Sequence, residues 1–295
     1  MKRIWLFFTA VVLGGTATGA ELEEVLKNAI AGKQARVGIA VVVDGKDTVA
    51  INDDGGYPMM SVFKLHQAVA VAHYLDRKGM TLATRIPIRR EALLPDTYSP
   101  LRDRFPEGGI ELSVGELLTY TLQLSDNNAC DILFDRAGGP TETDRYIRSL
   151  GIGDFAIGAT EKEMHDDPEM CYRNRTSPLA AVRLVELVAT GRILPEENGE
   201  FIRRTMIGCG TGGNRLAKPL AGTGAVIGHK TGTSDRNAKG EWIGINDVGF
   251  VELPDGRKYS IAVFVRDSQE SAEETERIIA EVSEAVYRYV ARKER

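Results

Sequence analysis

Residues 58–72 read Pro58-Met59-Met60-Ser61-Val62-Phe63-Lys64-Leu65-His66-Gln67-Ala68-Val69-Ala70-Val71-Ala72. Val62, Phe63, Leu65, Val69 and Ala72 recur at helical spacing and predict an apolar helix that begins at Ser61. Ser61 then stands at the helix start and Lys64 one turn later on the same face. A hydroxyl in that position is a nucleophile if a neighbouring base takes its proton, and the first-turn amides and helix dipole favour the anion that develops on attack at a carbonyl. Lys64 suits the base's task only if burial or a second cation lowers its pKa. A serine cap followed by a solvated lysine is spelled the same way, because serine is favoured at helix caps. S-x-x-K therefore needs further motifs beside it.

Upstream of this stretch the chain predicts a helix over 21–33 and a hairpin of strands 37–43 and 48–52 around Asp44-Gly45-Lys46. Near the other end, strands 248–253 and 258–265 flank Pro254-Asp255-Gly256. An amphipathic helix closes the chain, with Ser271 and Glu274 as a capping box and Ile278, Ile279, Val282, Val286 and Val290 on one face. The middle is helical: Ser113 and Glu116 form another capping box, and Ser177-Pro178 opens a helix that Gly191 closes. Strands at both ends around a helical middle predict an α+β fold. Residues 21–60 and 208–295 would build one discontinuous domain, 61–207 an inserted all-helical domain, with a cleft where they meet.

The chain has 295 residues, 43% hydrophobic and 27% charged, with 37 basic against 42 acidic side chains for a net charge of −5. These values exclude a disordered or collagen-like chain, and the length buries a core without staples. No basic stripe stands out, which argues against nucleic acid as a partner. Lys2 and Arg3, the apolar run 4–15 and Thr18-Gly19-Ala20 read as a signal peptide over 1–20, implying a periplasmic or secreted protein. Three cysteines, Cys130, Cys171 and Cys209, allow at most one disulfide and lack metal-ligand spacing, so each reads as a small buried apolar residue.

Two further motifs supply the company that Ser61 needs. Ser125-Asp126-Asn127 lies between the helix from Ser113 and the next, over 130–136. As a capped connection it would be unremarkable. As part of a site it projects the Ser125 hydroxyl as a proton relay and the Asn127 amide as a substrate partner, with Asp126 holding the turn. Lys230-Thr231-Gly232-Thr233 ends a strand-like run over 225–234. Gly232 would let an extended amide pair along that strand, the Thr233 amide would share an oxyanion hole with that of Ser61, and Lys230 and Thr231 would meet a carboxylate.

S-x-x-K, S-D-N and K-T-G in this order are the motif set of class A β-lactamases and penicillin-binding proteins. With the stretches PMMSVFKLH, LSDNNACD, GHKTGTSDRNAKG and NDVGFVELPDGRKYSIAVFVRDS, the chain resembles class A serine β-lactamases over essentially its whole length after residue 20. These stretches resemble the extended-spectrum subgroup typified by the PER and CfxA enzymes. The resemblance implies a β-lactamase/transpeptidase-like fold, an antiparallel sheet flanked by helices with the active site in the interdomain cleft, and hydrolysis of penicillins and cephalosporins through an acyl-enzyme. It implies no metal or organic cofactor, a monomer, and Ser61, Lys64, Ser125 and Glu161 as catalytic residues. Glu161 would activate the deacylating water, with Glu163 as second choice. Asn127, Lys230, Thr231, Gly232, Thr233 and Arg215 would bind substrate, Arg215 in Asn214-Arg215-Leu216 by steadying its carboxylate. Two departures from the commonest pattern stand in the Glu161 loop. His165 replaces the usual asparagine, and the arginine expected before the base is missing, with Ala159 nearby. Two alternatives remain: a D-alanyl-D-alanine peptidase or transpeptidase, which the Glu161 loop opposes, and a penicillin-binding sensor, which would carry membrane or signalling segments.

Gly208-Cys209-Gly210-Thr211-Gly212-Gly213 fits G-x-G-x-x-G, but no strand precedes it and no βαβ unit surrounds it, so it does not predict a dinucleotide site. His66 and His73 read as packed or surface residues, with nothing to pair them to Ser61.

Overall fold

The computed structural model describes residues 19–292; residues 1–18, on which most of the signal-peptide reading falls, lie outside the described residues. Five strands make the main sheet: β1 (Arg36–Val43), β2 (Asp47–Ile51), β3 (Val226–Thr233), β4 (Ile245–Glu252) and β5 (Lys258–Arg266). Their spatial order is β2-β1-β5-β4-β3, every neighbouring pair antiparallel. The sheet thus joins the two ends of the chain, as the strand-rich termini predict.

Seven helices matter for the site: α1 (Gly19–Ile30), α2 (Phe63–Lys78), α3 (Val114–Gln123), α4 (Asn127–Ala137), α5 (Glu161–Asp166), α6 (Pro178–Ala189) and α7 (Ala272–Arg292). In β1 the side chains alternate. Val37, Ile39, Val41 and Val43 join the core formed with α1 and α7, while Ala40 and Val42 belong to the opposite core with α2, α4 and α6. Gly38 sits where a Cβ would come within 2.5 Å of the Tyr57 ring and 2.8 Å of Pro178. The helix α6 lies inside the stretch assigned to the helical insert, yet it packs on the sheet, where Ser260 of β5 donates to Glu186 at 2.6 Å.

The capping boxes predicted at Ser113 and Glu116 form in full, and Ser271 accepts from the Glu274 amide at the start of α7. Helix α1 begins at Gly19, two residues before the predicted start, and ends at Ile30 rather than Lys33. Helix α2 is buried along most of its length, including the polar Lys64, His66 and Gln67, as expected of a central helix apolar on several faces. A small sheet pairs Tyr57–Pro58 with Arg175–Thr176, which pairs in turn with Phe155–Ala156. Together with the bond from the Met59 amide to the Asn174 carbonyl, 2.7 Å, it ties the approach to Ser61 to both ends of the loop that carries Glu161.

Candidate active site

Ser61 is not the cap of α2. It lies in a single 3₁₀ turn, Met60–Val62, just before that helix, and no side chain caps the turn. Its hydroxyl is therefore left for chemistry, and it lies 3.4 Å from Glu161 Oε1. The preceding Met60 has φ +47°. Among the described residues the non-glycine positions with positive φ are Asp44, Asn52, Asp154, Asp267, Met60 and Ser125. The Asp and Asn side chains tolerate that region; Met60 and Ser125 do not share that tolerance, and each stands at the site. Strain of about 1–3 kcal/mol at such positions is tolerated where the surroundings over-determine them.

Lys64 has no solvent exposure. Its ammonium donates to the Ser125 carbonyl at 2.6 Å and to Asn127 Oδ1 at 2.7 Å, and pairs with Glu161 Oε1 at 2.9 Å. Burying a lysine is costly unless a counter-charge and acceptors accompany it, and here all three are supplied. The Ser125 hydroxyl stands between two ammonium groups, 3.5 Å from Lys64 Nζ and 3.0 Å from Lys230 Nζ. Asp126 is fully buried and holds the turn, as the sequence suggests: its carboxylate accepts from the Ala129 and Leu101 amides and from Ser99 Oγ. Asn127 spends its carbonyl on Lys64 and one N–H on Thr97 Oγ1 at 2.7 Å.

The third motif runs along β3. Lys230 is fully buried, donating to Ser125 Oγ and to the Thr231 carbonyl at 2.8 Å. Burial and the charge of Lys64 lower its pKa to about 7. Gly232 matters for a reason beyond strand pairing with substrate. A Cβ there would meet the Met59 carbonyl oxygen at 2.5 Å and the Ser61 nitrogen at 3.2 Å, so the missing side chain lets β3 close on the Ser61 turn and brings residue 233 beside it. Arg215, which the resemblance has steadying the substrate's carboxylate, is itself fully engaged. All five of its N–H groups are committed: Nε and Nη2 to Glu276, Nη1 to the Gly232 and Asn246 carbonyls, and Nη2 also to Thr233 Oγ1 at 2.7 Å. It is buried, and it reaches the cleft through the Thr233 hydroxyl.

The two candidate glutamates separate. Glu163 completes a capping box on α5, its carboxylate accepting from the Thr160 amide and hydroxyl at 2.8 and 3.1 Å. Glu161, the first residue of the same short helix, is buried at Ser61 and Lys64. Two residues that the sequence reading passed over hold this loop. Asp131 accepts from the Glu161 and Lys162 amides at 2.9 and 2.8 Å, and burial raises its pKa to about 6. Asn174, which is fully buried, accepts from the Gly158 and Ala159 amides and donates to the Ala159 carbonyl. They close the loop in the absence of the missing arginine. The only signal for Asp131 was its place one helical turn after Asn127, on the same face. His165 is exposed and lines the cleft mouth.

These elements enclose a cleft of about 580 Å³ lined by Ser61, Ser125, Asn127, Glu161, Thr231 and Thr233, with the exposed Tyr98 on its rim. The three cysteines are unpaired; Cys130 and Cys171 are buried as expected, whereas Cys209 is partly exposed. Among the described residues no group of three or more His, Cys, Asp or Glu side chains is placed to hold a metal ion. The chain can thus deliver a serine nucleophile, a buried carboxylate–ammonium base, a proton relay and an anion-binding wall to one point.

Residues 21–290 match the β-lactamase enzyme family. A β-lactamase of Bacteroides uniformis is 43% identical over 91% of this chain and 90% of its own length. The extended-spectrum β-lactamase PER-1 of Pseudomonas aeruginosa is 37% identical over 92% of this chain and 88% of its own. The crystal structure of a class A β-lactamase representative from Bacteroides cellulosilyticus superposes with a TM-score of 0.88 at 39% identity, covering 92% of this chain and 98% of that one.

Proposed function

The chain belongs to the β-lactamase enzyme family as a class A serine enzyme hydrolysing the β-lactam amide, and from that premise we propose how its residues divide the reaction. Ser61 attacks the ring carbonyl, its proton passing into the Glu161–Lys64 pair. The Ser61 and Thr233 amides hold the oxyanion, a pair in which loss of one donor costs about 3 kcal/mol. Ser125, between the two ammonium groups, carries a proton to the departing ring nitrogen. Lys230, Thr231 and the Thr233 hydroxyl that Arg215 orients take the substrate carboxylate, and Asn127 contacts its side-chain amide. Glu161 then activates the water that releases the acyl group.

The observation that carries this division is a single carboxylate oxygen, Glu161 Oε1, lying 3.4 Å from the Ser61 hydroxyl and 2.9 Å from the Lys64 ammonium inside a buried network. A peptidase or a drug-capturing sensor has no use for a base placed there. With a chromogenic cephalosporin, the mature protein should turn over, and Glu161→Ala should slow deacylation about 10³-fold and accumulate an acyl adduct visible by intact mass. A stable adduct on the parent would sink the proposal, as would adduct formation on Ser61→Ala.

Cephalosporins as well as penicillins are the expected substrates, in keeping with the extended-spectrum relative, and resistance to them is the expected consequence for the host. We read the protein as exported to the periplasm or beyond by residues 1–20, monomeric, and without nucleic-acid partners. Among the described residues no helix is long and apolar enough to cross a membrane. We further read 21–60 and 208–295 as one domain and 61–207 as the helical insert. Support comes from the sheet shared by both ends, although α6 of the insert lies against that sheet.

A further inference from the structure

One side of β3 carries His229, Thr231 and Thr233, because alternate strand residues share a face. The segment 209–215 runs beside that face and meets each in turn. Cys209 stands at the level of His229, whose imidazole acts on its thiol, with its sulfur 3.7 Å from the Thr211 carbonyl; Thr211 Oγ1 is 2.6 Å from Thr231 Oγ1, and Arg215 donates to Thr233. The glycines of the rejected dinucleotide motif find their use here. At Gly212, φ +67°, a Cβ would fall 2.4 Å from the Thr231 methyl, so only glycine lets the segment approach. The first rung is the one the β-lactam chemistry does not employ. His229 Nδ1 lies 3.0 Å from both carboxylate oxygens of the fully buried Asp247 on β4, so the other ring nitrogen is not engaged by that carboxylate. The Cys209 sulfur also stands 3.4 Å from Thr211 Oγ1, and unlike Cys130 and Cys171 it is partly exposed.

We propose that Cys209, His229 and Asp247 form a second nucleophilic centre, an activated thiol that exchanges with small organic disulfides and whose modification is felt in the cleft through Thr211 and Thr231. Burial alone would hold the thiol up, but the hydrogen bond and charge of His229, with Lys230 beyond, bring it down. Burial alone would likewise discharge the imidazole, and Asp247 and Cys209 raise it instead. The groups facing this centre are thus Asp247, Lys230 and the Thr211 hydroxyl, and they favour a thiolate–imidazolium pair. In the exchange, the Cys209 thiolate attacks one sulfur of the disulfide. The reagent's S–S bond breaks as the new one forms, Cys209 is oxidised to a mixed disulfide, and the departing thiolate is the reduced half, taking the proton that His229 held. The thiolate is also the acceptor at the end of a hydroxyl chain, Thr231 to Thr211 to sulfur. Capping it removes that acceptor and reorients the Thr231 hydroxyl, which lines the cleft.

The reactivity stands independently of how the cleft residues are assigned; the coupling rests on Thr231 contacting substrate. The test treats the intact enzyme at pH 6 with dithiodipyridine, a small chromogenic disulfide, and locates the adduct by peptide mass mapping. Cys209 in the native enzyme should react about fivefold or more faster than the same cysteine in the urea-unfolded chain, despite its lower exposure, because an unperturbed thiol is almost wholly protonated at that pH. His229→Gln should abolish the advantage. Labelled parent should show KM for a cephalosporin raised about threefold with kcat little changed, restored by dithiothreitol, and Cys209→Ser should resist both labelling and the KM change. Slower reaction in the native state, or labelling at Cys130 or Cys171 first, overturns the nucleophilic centre. A labelled Cys209 with unaltered KM overturns the coupling.

Discussion

The two lysines of the site are equally buried and touch the same serine, yet their surroundings differ in one respect. Lys64 has a carboxylate, Glu161, at 2.9 Å and two carbonyl acceptors besides. Lys230 has a hydroxyl and its neighbour's carbonyl, and among the described residues no carboxylate lies within ion-pair distance of it. A buried ammonium without a counter-ion is an incomplete ion pair. The protein tolerates it by lowering the pKa to about 7, and in the proposed division the substrate's carboxylate is the partner that completes it. In the proposed division, Lys64 belongs to the permanent machinery of the reaction and Lys230 binds substrate because it lacks the counter-ion that Lys64 has.

The comparison breaks if the two can be exchanged. Lys64→Ala removes the counter-ion of Glu161 and the donor to Ser125 and Asn127 together, and kcat for a cephalosporin should fall by about 10³-fold or more, read as slow acylation in a stopped-flow trace. Lys230→Ala should act mainly on KM. Truncating one member of a buried charge pair costs about 2–5 kcal/mol, so kcat/KM should drop by about 10²-fold. Much of this should return in Lys230→Arg, which keeps the charge. If Lys230→Ala instead stops acylation with KM intact, the division between the two lysines is wrong.

The pH dependence sharpens the same contrast. The Lys230 pKa is depressed, so the free enzyme loses this proton as pH rises through about 7, and with it the charge that meets the carboxylate. From pH 7 to about 8.5, KM should therefore rise by about tenfold as the protonated fraction falls. A steady-state profile that stays flat over that range in the parent would show that Lys230 is charged throughout. Lys230→Arg should remove the rise, because a guanidinium does not titrate there.

The part of this site that was legible in the sequence is the part built on short local spacings. Ser61 and Lys64 lie one turn apart, Ser125 and Asn127 share one turn, and Lys230 to Thr233 are consecutive, so each motif survives as a string. The sheet was legible for a similar reason, since β1 and β5 are long apolar runs and the hairpin turns carry turn residues. What was hidden depends on partners distant in sequence. Asp131 reaches the Glu161 amide 30 positions on, and Asn174 closes the loop through backbone groups that have no spelling at all. The resemblance pointed to Glu161 ahead of Glu163, and the structure sets the two apart by placing Glu161 beside Ser61 and Lys64 and Glu163 in the capping bond at Thr160. Which acceptors occupy the Arg215 guanidinium was hidden for the same reason, because they lie on β3, β4 and α7.

Those hidden contacts of Arg215 supply the finest test of the comparison. If Lys230 is the cation that waits for the carboxylate, Arg215 is its opposite. Its charge is matched by Glu276 at 3.0 Å and its remaining donors by the Gly232 and Asn246 carbonyls and the Thr233 hydroxyl. Arg215→Gln would then leave the substrate's counter-ion in place and disturb only the orientation of Thr233 Oγ1. The expected result is a KM increase of about threefold, the size of one neutral hydrogen bond, with kcat/KM keeping the pH profile of the parent. The same substitution strips the Gly232 and Asn246 carbonyls of a charged donor, so thermal unfolding should show a loss of about 1–3 kcal/mol that the kinetics do not share. Should KM instead rise by the about 10²-fold expected of Lys230→Ala, Arg215 must leave Glu276 to reach the carboxylate, and the cleft has two waiting cations rather than one.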